Sequence, residues 1–323
     1  MKRFSLFTIM AIMAISTVFT SCTSDDEIQT NQAELTNTLE SSGYLETSEM
    51  LQKLSGFNDS IKATRATTRG WGKKDYINVT IADIEGAYAG GKAGAWLGGK
   101  IGAGLGNPIT GAVFGGFLGA VAVGGFNSWR NSPGCSIVKP NDIFTGMMQT
   151  IPFTINDRLS VNDDVWISAK KIDEEKISIK SEIESKVNLT DKQMSVGKAH
   201  NIVLGTLDGT VKMAPINKEV TDNELVCQII ESKEFEQLYE TGMNELQNDT
   251  CKIKADYVIK LFNDVLANYP SDNMDVVMLI NEYKNVIDTC NELTEEEKEW
   301  VCGALATALY SFNYWNTTAK KAE

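Results

Sequence analysis

The sequence predicts a mainly α protein, in which a glycine-zipper helical hairpin and a C-terminal helical bundle follow a disordered N-terminal tether. Glycine recurs at a helical period between residues 86 and 119, and apolar residues recur at helical spacing after residue 190. Residues 22–69 are instead rich in Ser, Thr, Asn and Glu, a composition that buries little apolar surface, with one weakly amphipathic stretch around residues 45–54 that allows a single helix. The chain therefore divides into a leader (1–21), an acidic tether (22–69), the hairpin (70–133), an irregular connector with short strands or helices (134–189) and an acidic helical domain (190–323).

The first 21 residues have the layout of a signal peptide. Lys2 and Arg3 precede an apolar stretch over 4–19, and a small residue stands directly before Cys22. This end of the leader resembles a bacterial lipobox, which implies that Cys22 is lipidated; ordinary cleavage with a free Cys22 is the alternative. The acidic residues after Cys22 resemble the surface-export signal of Bacteroidota lipoproteins, which implies an outer-membrane lipid anchor, surface exposure and an option of release to the medium.

The tether ends in a small, polar stretch over 63–70, of the kind at which proteases cut exposed chains. An arginine-specific protease would cut after Arg65 or Arg69 and free a segment that begins near Gly70. The alternative is an uncut flexible linker.

Glycine falls at every fourth residue in two runs: Gly86, Gly90, Gly94, Gly98, Gly102 and Gly106, then Gly111, Gly115 and Gly119. A helical glycine costs roughly 1 kcal/mol relative to alanine, so these positions need a compensating contact. Close helix–helix approach supplies one, above all in membranes. Asn107-Pro108 separates the runs into two predicted helices, over 78–106 and 109–129, because proline disfavours the helical conformation of the residue before it. A helix over 86–106 would be about 30 Å long, which matches the hydrocarbon core of a bilayer.

The hairpin is a cationic, apolar segment in an acidic chain. The whole chain carries a formal net charge of −13, but residues 70–133 contain five basic and three acidic residues. Nucleic acid is not expected as a partner, because its phosphates would repel so acidic a protein. Lys92 and Lys100 lie within the first predicted helix and would be costly at the centre of a bilayer.

Four amphipathic helices are predicted in the C-terminal domain. Apolar residues mark them over 225–238, 258–266, 274–287 and from residue 295 onward. Thr294, followed by three glutamates, has the form of a helix N-cap with an acidic first turn. About 130 residues suffice to bury a core, so a helical bundle is the expected product. A short strand is predicted at 165–168, in the connector.

Five cysteines follow Cys22, an odd number that leaves one thiol over if the others pair. Proximity in sequence alone favours Cys227–Cys251 and Cys290–Cys302 as disulfide candidates of an exported protein. Buried free thiols are the alternative. No CxxC motif or Cys/His cluster indicates a metal site.

No catalytic residue or cofactor is expected. Residues 94–101 superficially match a phosphate-binding loop, but Ile101 occupies the position of the required Ser or Thr. The single histidine, His200, has no nucleophile motif beside it, so a packing or helix-capping role is expected rather than catalysis.

The segment 70–130 resembles the mature part of class II, glycine-zipper bacteriocins. The resemblance rests on Gly70-Trp71-Gly72-Lys73-Lys74, on residues 87–94 and on the paired zippers, and it covers about a fifth of the chain. The lipoprotein-type leader and the long C-terminal domain differ from that family. The resemblance implies a membrane-permeabilising toxin whose partners are membrane lipids, a target-cell receptor and an immunity protein, with self-association through the zipper.

Two functions follow as hypotheses. The first is an antibacterial surface lipoprotein whose hairpin inserts in and permeabilises target membranes, with proteolytic release at Arg65 or Arg69 as an option. The second is a non-catalytic structural or binding lipoprotein whose zipper packs only within its own fold. Enzymatic activity is expected under neither.

Overall fold

Eight helices, and no strand, make up the part of the chain that the computed structural model describes: residues 47–65, 74–106, 108–131, 176–207, 253–270 and 272–322. In chain order they are α1 (Glu49–Arg65), α2 (Lys74–Gly104), α3 (Pro108–Asn131), α4 (Ser181–Glu184), α5 (Asp191–Leu207), α6 (Lys254–Asn268), α7 (Asn273–Thr289) and α8 (Glu295–Ala322). All belong to one unit, Thr47–Glu323. The mainly α fold predicted from the sequence is confirmed.

α2 and α3 form the predicted hairpin and share the largest helix–helix interface of the described residues. The N–H groups of Leu105 and Gly106 close the turn by donating to the carbonyl oxygens of Gly102 and Ala103 at 3.1 and 3.2 Å. Gly106 has φ = +79°, in the left-handed region that favours glycine. Its prediction as a zipper position is wrong, because it turns the chain and no atom lies within 4 Å of where its Cβ would be.

α8 is the central helix of the bundle. Every residue from Val301 to Trp315 is buried, because α2, α3, α5, α6 and α7 all pack against this helix. α2 runs antiparallel to α8: Tyr76 stacks on Trp315 with ring centroids 6.1 Å apart, whereas Gly91 lies beside Trp300. In this register the closed end of the hairpin extends past the beginning of α8.

α1 lies within the segment that was predicted as a tether. Its apolar residues Met50, Leu51, Leu54 and Ile61 are buried against α6 and α7, which is why this part of the segment is an ordered helix. Asn58 reinforces the contact, because its Nδ2 donates to the carbonyl oxygen of Leu261 at 2.8 Å and its Oδ1 accepts from Tyr283 Oη at 3.0 Å. The predicted tether therefore does not include residues 49–65, and residues 22–46 lie outside the described ranges.

The C-terminal helices follow the sequence prediction. Thr294 Oγ1 accepts from the N–H of Glu297 at 3.2 Å, and the Glu297 carboxylate accepts from the N–H of Thr294 at 2.7 Å, a capping box that confirms the start of α8. α6 and α7 cover the helices predicted over 258–266 and 274–287. The helix predicted over 225–238 and the strand at 165–168 lie outside the described residues.

Candidate functional site

The zipper glycines of α2 and α3 meet in reciprocal pairs. A Cβ built on Gly94 would lie 2.1 Å from the carbonyl oxygen of Gly115, and a Cβ on Gly115 would lie 2.1 Å from that of Gly94. Two further pairs repeat this geometry at 2.0 to 2.2 Å: Gly90 with Gly119, and Gly98 with Gly111. No side chain fits at these distances, so the two backbones touch along the hairpin.

Gly86 and Gly102 lie at the two ends of this row. A Cβ on Gly86 would lie 2.7 Å from Asn127 Nδ2 and 2.8 Å from the carbonyl oxygen of Val123, both on α3. The Cα of Gly102 lies 2.9 Å from the Cβ position of Gly111. The close approach of α2 and α3 therefore extends from Gly86 to Gly102, or about four and a half helical turns.

The open end of the hairpin, where α2 begins and α3 ends, is joined to α5 and α8 by a buried polar group that we call the anchor cluster. Its centre is Asp83 of α2, whose side chain is completely buried. Asp83 Oδ2 accepts hydrogen bonds from Ser128 Oγ of α3 at 2.8 Å, from Trp315 Nε1 of α8 at 3.3 Å and from Ser311 Oγ of α8. The full cluster comprises Thr80, Asp83, Ser128, His200, Ser311 and Trp315.

Burial decides the charge of the anchor cluster. It raises the pKa of Asp83 well above its usual range, because the carboxylate would lose its hydration, and the hydrogen bonds from Ser311, Ser128 and Trp315 only oppose this. Burial also lowers the pKa of His200 to about 4. His200 is therefore uncharged at neutral pH, and its Nε2, 3.6 Å from Asp83 Oδ2, does not form an ion pair.

His200 has the contacts of a packing residue. None of its side chain is exposed, its Nδ1 lies 3.2 Å from Asn201 Oδ1, and its ring packs on Gly124 of α3. Asn201 in turn donates to the carbonyl oxygens of Ile177 and Tyr310 at 3.0 and 2.8 Å. A substrate cannot reach His200 in this arrangement. Across the described ranges, no three His, Cys, Asp or Glu side chains are grouped so that they could hold a metal ion.

A second set of contacts holds the middle of α2 to α6. Asp256 accepts a hydrogen bond from Tyr88 Oη at 2.6 Å and lies 3.6 Å from Lys92 Nζ. Asn263 Nδ2 donates to Glu85 at 3.0 Å. Lys92, which would be costly in a bilayer, is thus half-buried beside a carboxylate of the C-terminal domain.

The closed end of the hairpin presents apolar and cationic side chains to solvent. Trp96 is 68 % exposed, Leu105 41 % and Val113 36 %. Lys100 Nζ lies 5.3 Å from the centroid of the Trp96 ring, a cation–π contact. The sequence contains no acidic residue between Glu85 and Asp142. Among the described helices, none combines the length and apolar character needed to cross a membrane.

The predicted Cys290–Cys302 disulfide is not formed, because both cysteines are free thiols. Cys302 is buried in α8, and burial raises its pKa to about 12. Cys290 follows α7, where its Sγ accepts from the N–H of Glu292 at 3.2 Å instead of approaching the core. Cys227 and Cys251 lie outside the described residues, as does the predicted lipidation site Cys22.

Both predicted processing sites precede the first helix of the hairpin, which begins at Lys74. Arg65 is the last residue of α1, and Arg69 lies outside the described residues. A cut after either would leave α2 and α3 bonded to α8 through the anchor cluster and covalently joined to the chain that follows Asn131. Proteolysis at these arginines alone therefore does not free the hairpin.

Asp83, Ser128, Ser311 and Trp315 were not predicted as site residues. One signal was present, since Asp83 is an acidic residue between Ala82 and Ile84 on an apolar helix. Its partners follow 45 and 228 positions later in the chain, a juxtaposition that helical periodicity cannot indicate.

Comparisons with protein-family models, with curated proteins and with solved structures return no significant match to this chain.

Proposed function

We propose that this chain is a non-catalytic exported lipoprotein whose glycine-zipper hairpin acts as a rigid arm within its own fold. The anchor cluster is the observation that carries the proposal. Asp83 belongs to the hairpin, yet two of its donors, Ser311 and Trp315, belong to α8. Separation would exchange these two hydrogen bonds for bonds to water, and each contributes about 0.5 to 1.5 kcal/mol net to keeping the hairpin in place.

The remaining contacts of the hairpin support the same role. The reciprocal glycine pairs fix α2 against α3, and Asp256 and Asn263 hold the middle of α2 to α6. Only the closed end projects past α8, so the arm presents Trp96 and Lys100 at a fixed distance from the bundle. Lipidation at Cys22 would attach this fold to the outer membrane.

A disulfide lock tests whether the hairpin stays in place. Thr80 Oγ1 of α2 and Ser311 Oγ of α8 lie 3.2 Å apart, so the double variant T80C/S311C brings two thiols within bonding reach. Hydrogen exchange of the amides over 86–98 is measured in the full chain, with and without anionic vesicles. We expect slow exchange in the unmodified chain that vesicles do not change. Because S311C also removes a donor to Asp83, the reduced double variant and the single variants T80C and S311C are measured as controls. Faster exchange on vesicles, suppressed by the oxidised lock, would contradict the rigid arm.

The second candidate is the antibacterial toxin, with a target-cell receptor and an immunity protein as its partners. The acid-free sequence between Glu85 and Asp142 favours it, together with the exposed Trp96 and Lys100, because such segments are attracted to anionic lipid surfaces. This function requires the anchor cluster to open, since cuts at Arg65 or Arg69 do not free the hairpin. The toxin function would be supported if the reduced T80C/S311C variant caused dye leakage from vesicles and the oxidised variant did not. Absence of leakage in both redox states would count against it.

A further inference from the structure

A groove of about 1000 Å³ separates the outer face of the hairpin from the beginnings of α5 and α8. Its floor is made of small residues on both hairpin helices: Gly91, Ala95 and Gly99 of α2, and Ala112, Gly116 and Ala120 of α3. These residues lie one position after the paired glycines, and they still touch across the hairpin, since a Cβ on Gly116 would lie 3.3 Å from Ala95 Cβ. The groove lies on the outer side of this contact. Trp300 and Val196 form the opposite wall.

One rim of this groove is acidic. Glu295, Glu296 and Glu299 of α8 lie along it. Two of them are neutralised within the chain, since Glu299 lies 3.1 Å from Lys192 and Glu295 lies 2.8 Å from Lys298. Glu296 is exposed, and its carboxylate has no bonding partner within the described part of the chain. The rim therefore offers a carboxylate to an incoming cation.

The closed end of the same hairpin has the complementary character. It exposes Trp96, Leu105 and Val113, and Lys100 stands beside them with no carboxylate within ion-pair distance among the described residues. Trp96 and Val113 also line the groove, so the apolar end and the acidic rim are parts of one continuous surface. A surface that contains both halves of a complementary contact can pair with itself about a two-fold axis.

We propose that this surface binds a second copy of the chain, with the closed end of each hairpin lying in the groove of the other and Lys100 of each copy facing Glu296 of its partner. The contact closes after two copies, because each surface is used once. It does not use the zipper glycines, whose faces are occupied within the hairpin. The inference goes beyond the rigid arm and does not depend on which proposed function is correct.

Sedimentation equilibrium tests the pairing by measuring the self-association constant. The protein used is the full chain without its leader, with Cys22 replaced by serine so that no acyl group is attached. We expect a monomer–dimer equilibrium that Lys100→Glu and Glu296→Lys each weaken at least tenfold, since each change places like charges at two symmetric contacts. Lys180→Glu is the matched charge control, because Lys180 is also exposed but precedes α4. Trp96→Ala should weaken the dimer, whereas Met278→Ala, at a side chain 41 % exposed elsewhere, should not.

Mixing the two charge variants gives the decisive measurement. In a mixed dimer of K100E and E296K, residue 100 of each copy lies opposite a residue 296 of the other sign of charge. An equimolar mixture of the two variants should therefore dimerise as tightly as the unmodified chain. Failure of the mixture to recover affinity would overturn the proposed pairing, as would equal effects of K100E and K180E. A chain that stays monomeric at every concentration overturns it as well, even if the groove then binds a lipid or an apolar dye.

Discussion

Gly94 of α2 and Gly115 of α3 pack backbone to backbone, so that a Cβ on either would lie 2.1 Å from the carbonyl oxygen of the other. The relationship is symmetric because the helices are antiparallel and each glycine faces the one opposite. Two pairs with the same geometry lie one turn to either side. The conformational cost of the helical glycines is thereby offset by contact between the backbones.

We expect Gly94→Ala to lower the free energy of unfolding by about 2 kcal/mol or more, because the added methyl group meets backbone atoms that cannot move aside. Gly56 provides the matched control, since it lies within helix α1 and, apart from its chain neighbours and the backbone of its own helix, no described atom is within 4 Å of its Cβ position. Gly56→Ala should raise the free energy of unfolding by about 0.5 to 1 kcal/mol. Urea denaturation followed by circular dichroism compares both variants, and equal effects at the two positions would contradict the packing.

Asp83→Asn tests the buried carboxyl through the pH dependence of stability. The folded-state pKa of Asp83 is raised, so folding retains a proton that the unfolded chain loses above about pH 4. The unmodified chain should therefore lose stability relative to the variant as pH rises above 4 toward the folded-state pKa. Unfolding free energies at pH 5, 7 and 9 measure this difference. Asp59→Asn, at an exposed aspartate of α1, serves as the control for the loss of a carboxylate outside the core.

Cys302 should resist alkylation in the folded protein, whereas Cys290 should react. Cys302 is 1 % exposed and its pKa is raised to about 12, so neither access nor thiolate is available at pH 8. Cys290 is half-buried at the end of α7. Peptide mapping by mass spectrometry after iodoacetamide treatment, with and without urea, reports both sites. Rapid labelling of Cys302 in the native chain, or recovery of a Cys290–Cys302 peptide pair, would contradict the arrangement.

Regular spacing made the hairpin and the C-terminal helices predictable. The four-residue repeat of glycine marks one helical face, and Asn107-Pro108 marks the break, so α2 and α3 could be placed to within a few residues. Gly106 continues the repeat but lies past the end of α2, in a left-handed turn. Periodicity in sequence does not indicate where a helix ends and such a turn begins. Residues 49–65 are polar overall, and only a weak amphipathic pattern over 45–54 indicates a helix, so the full extent of α1 depends on its packing against α6 and α7.

The anchor cluster could not be predicted in the same way. Ser128 and Ser311 are ordinary polar residues in sequence, and Asp83 is marked only by its charge on an apolar helix. The roles of all three depend on four helices meeting at one point. His200 was expected to serve in packing rather than catalysis, but the identity of its neighbour, Asp83, depends on long-range packing. The residue type determines which hydrogen bonds a side chain can form, whereas the tertiary structure determines which partner it forms them with.

His200→Gln should remove a loss of stability that the unmodified chain shows in acid. The pKa of His200 is about 4 in the folded state and near 6.5 when unfolded, so between these values the unfolded chain binds a proton that the folded chain excludes. Stability from this group is complete above pH 6.5 and is lost as pH falls toward 4, by on the order of 3 kcal/mol. Asp83 titrates with the opposite sign and lies 3.6 Å from His200, so the same substitution made in the Asp83→Asn background isolates the contribution of His200. Urea unfolding at pH 7, 5.5 and 4.5 should therefore show the unmodified chain losing stability relative to the variant at each step. A difference that does not change with pH would contradict the lowered folded-state pKa of His200.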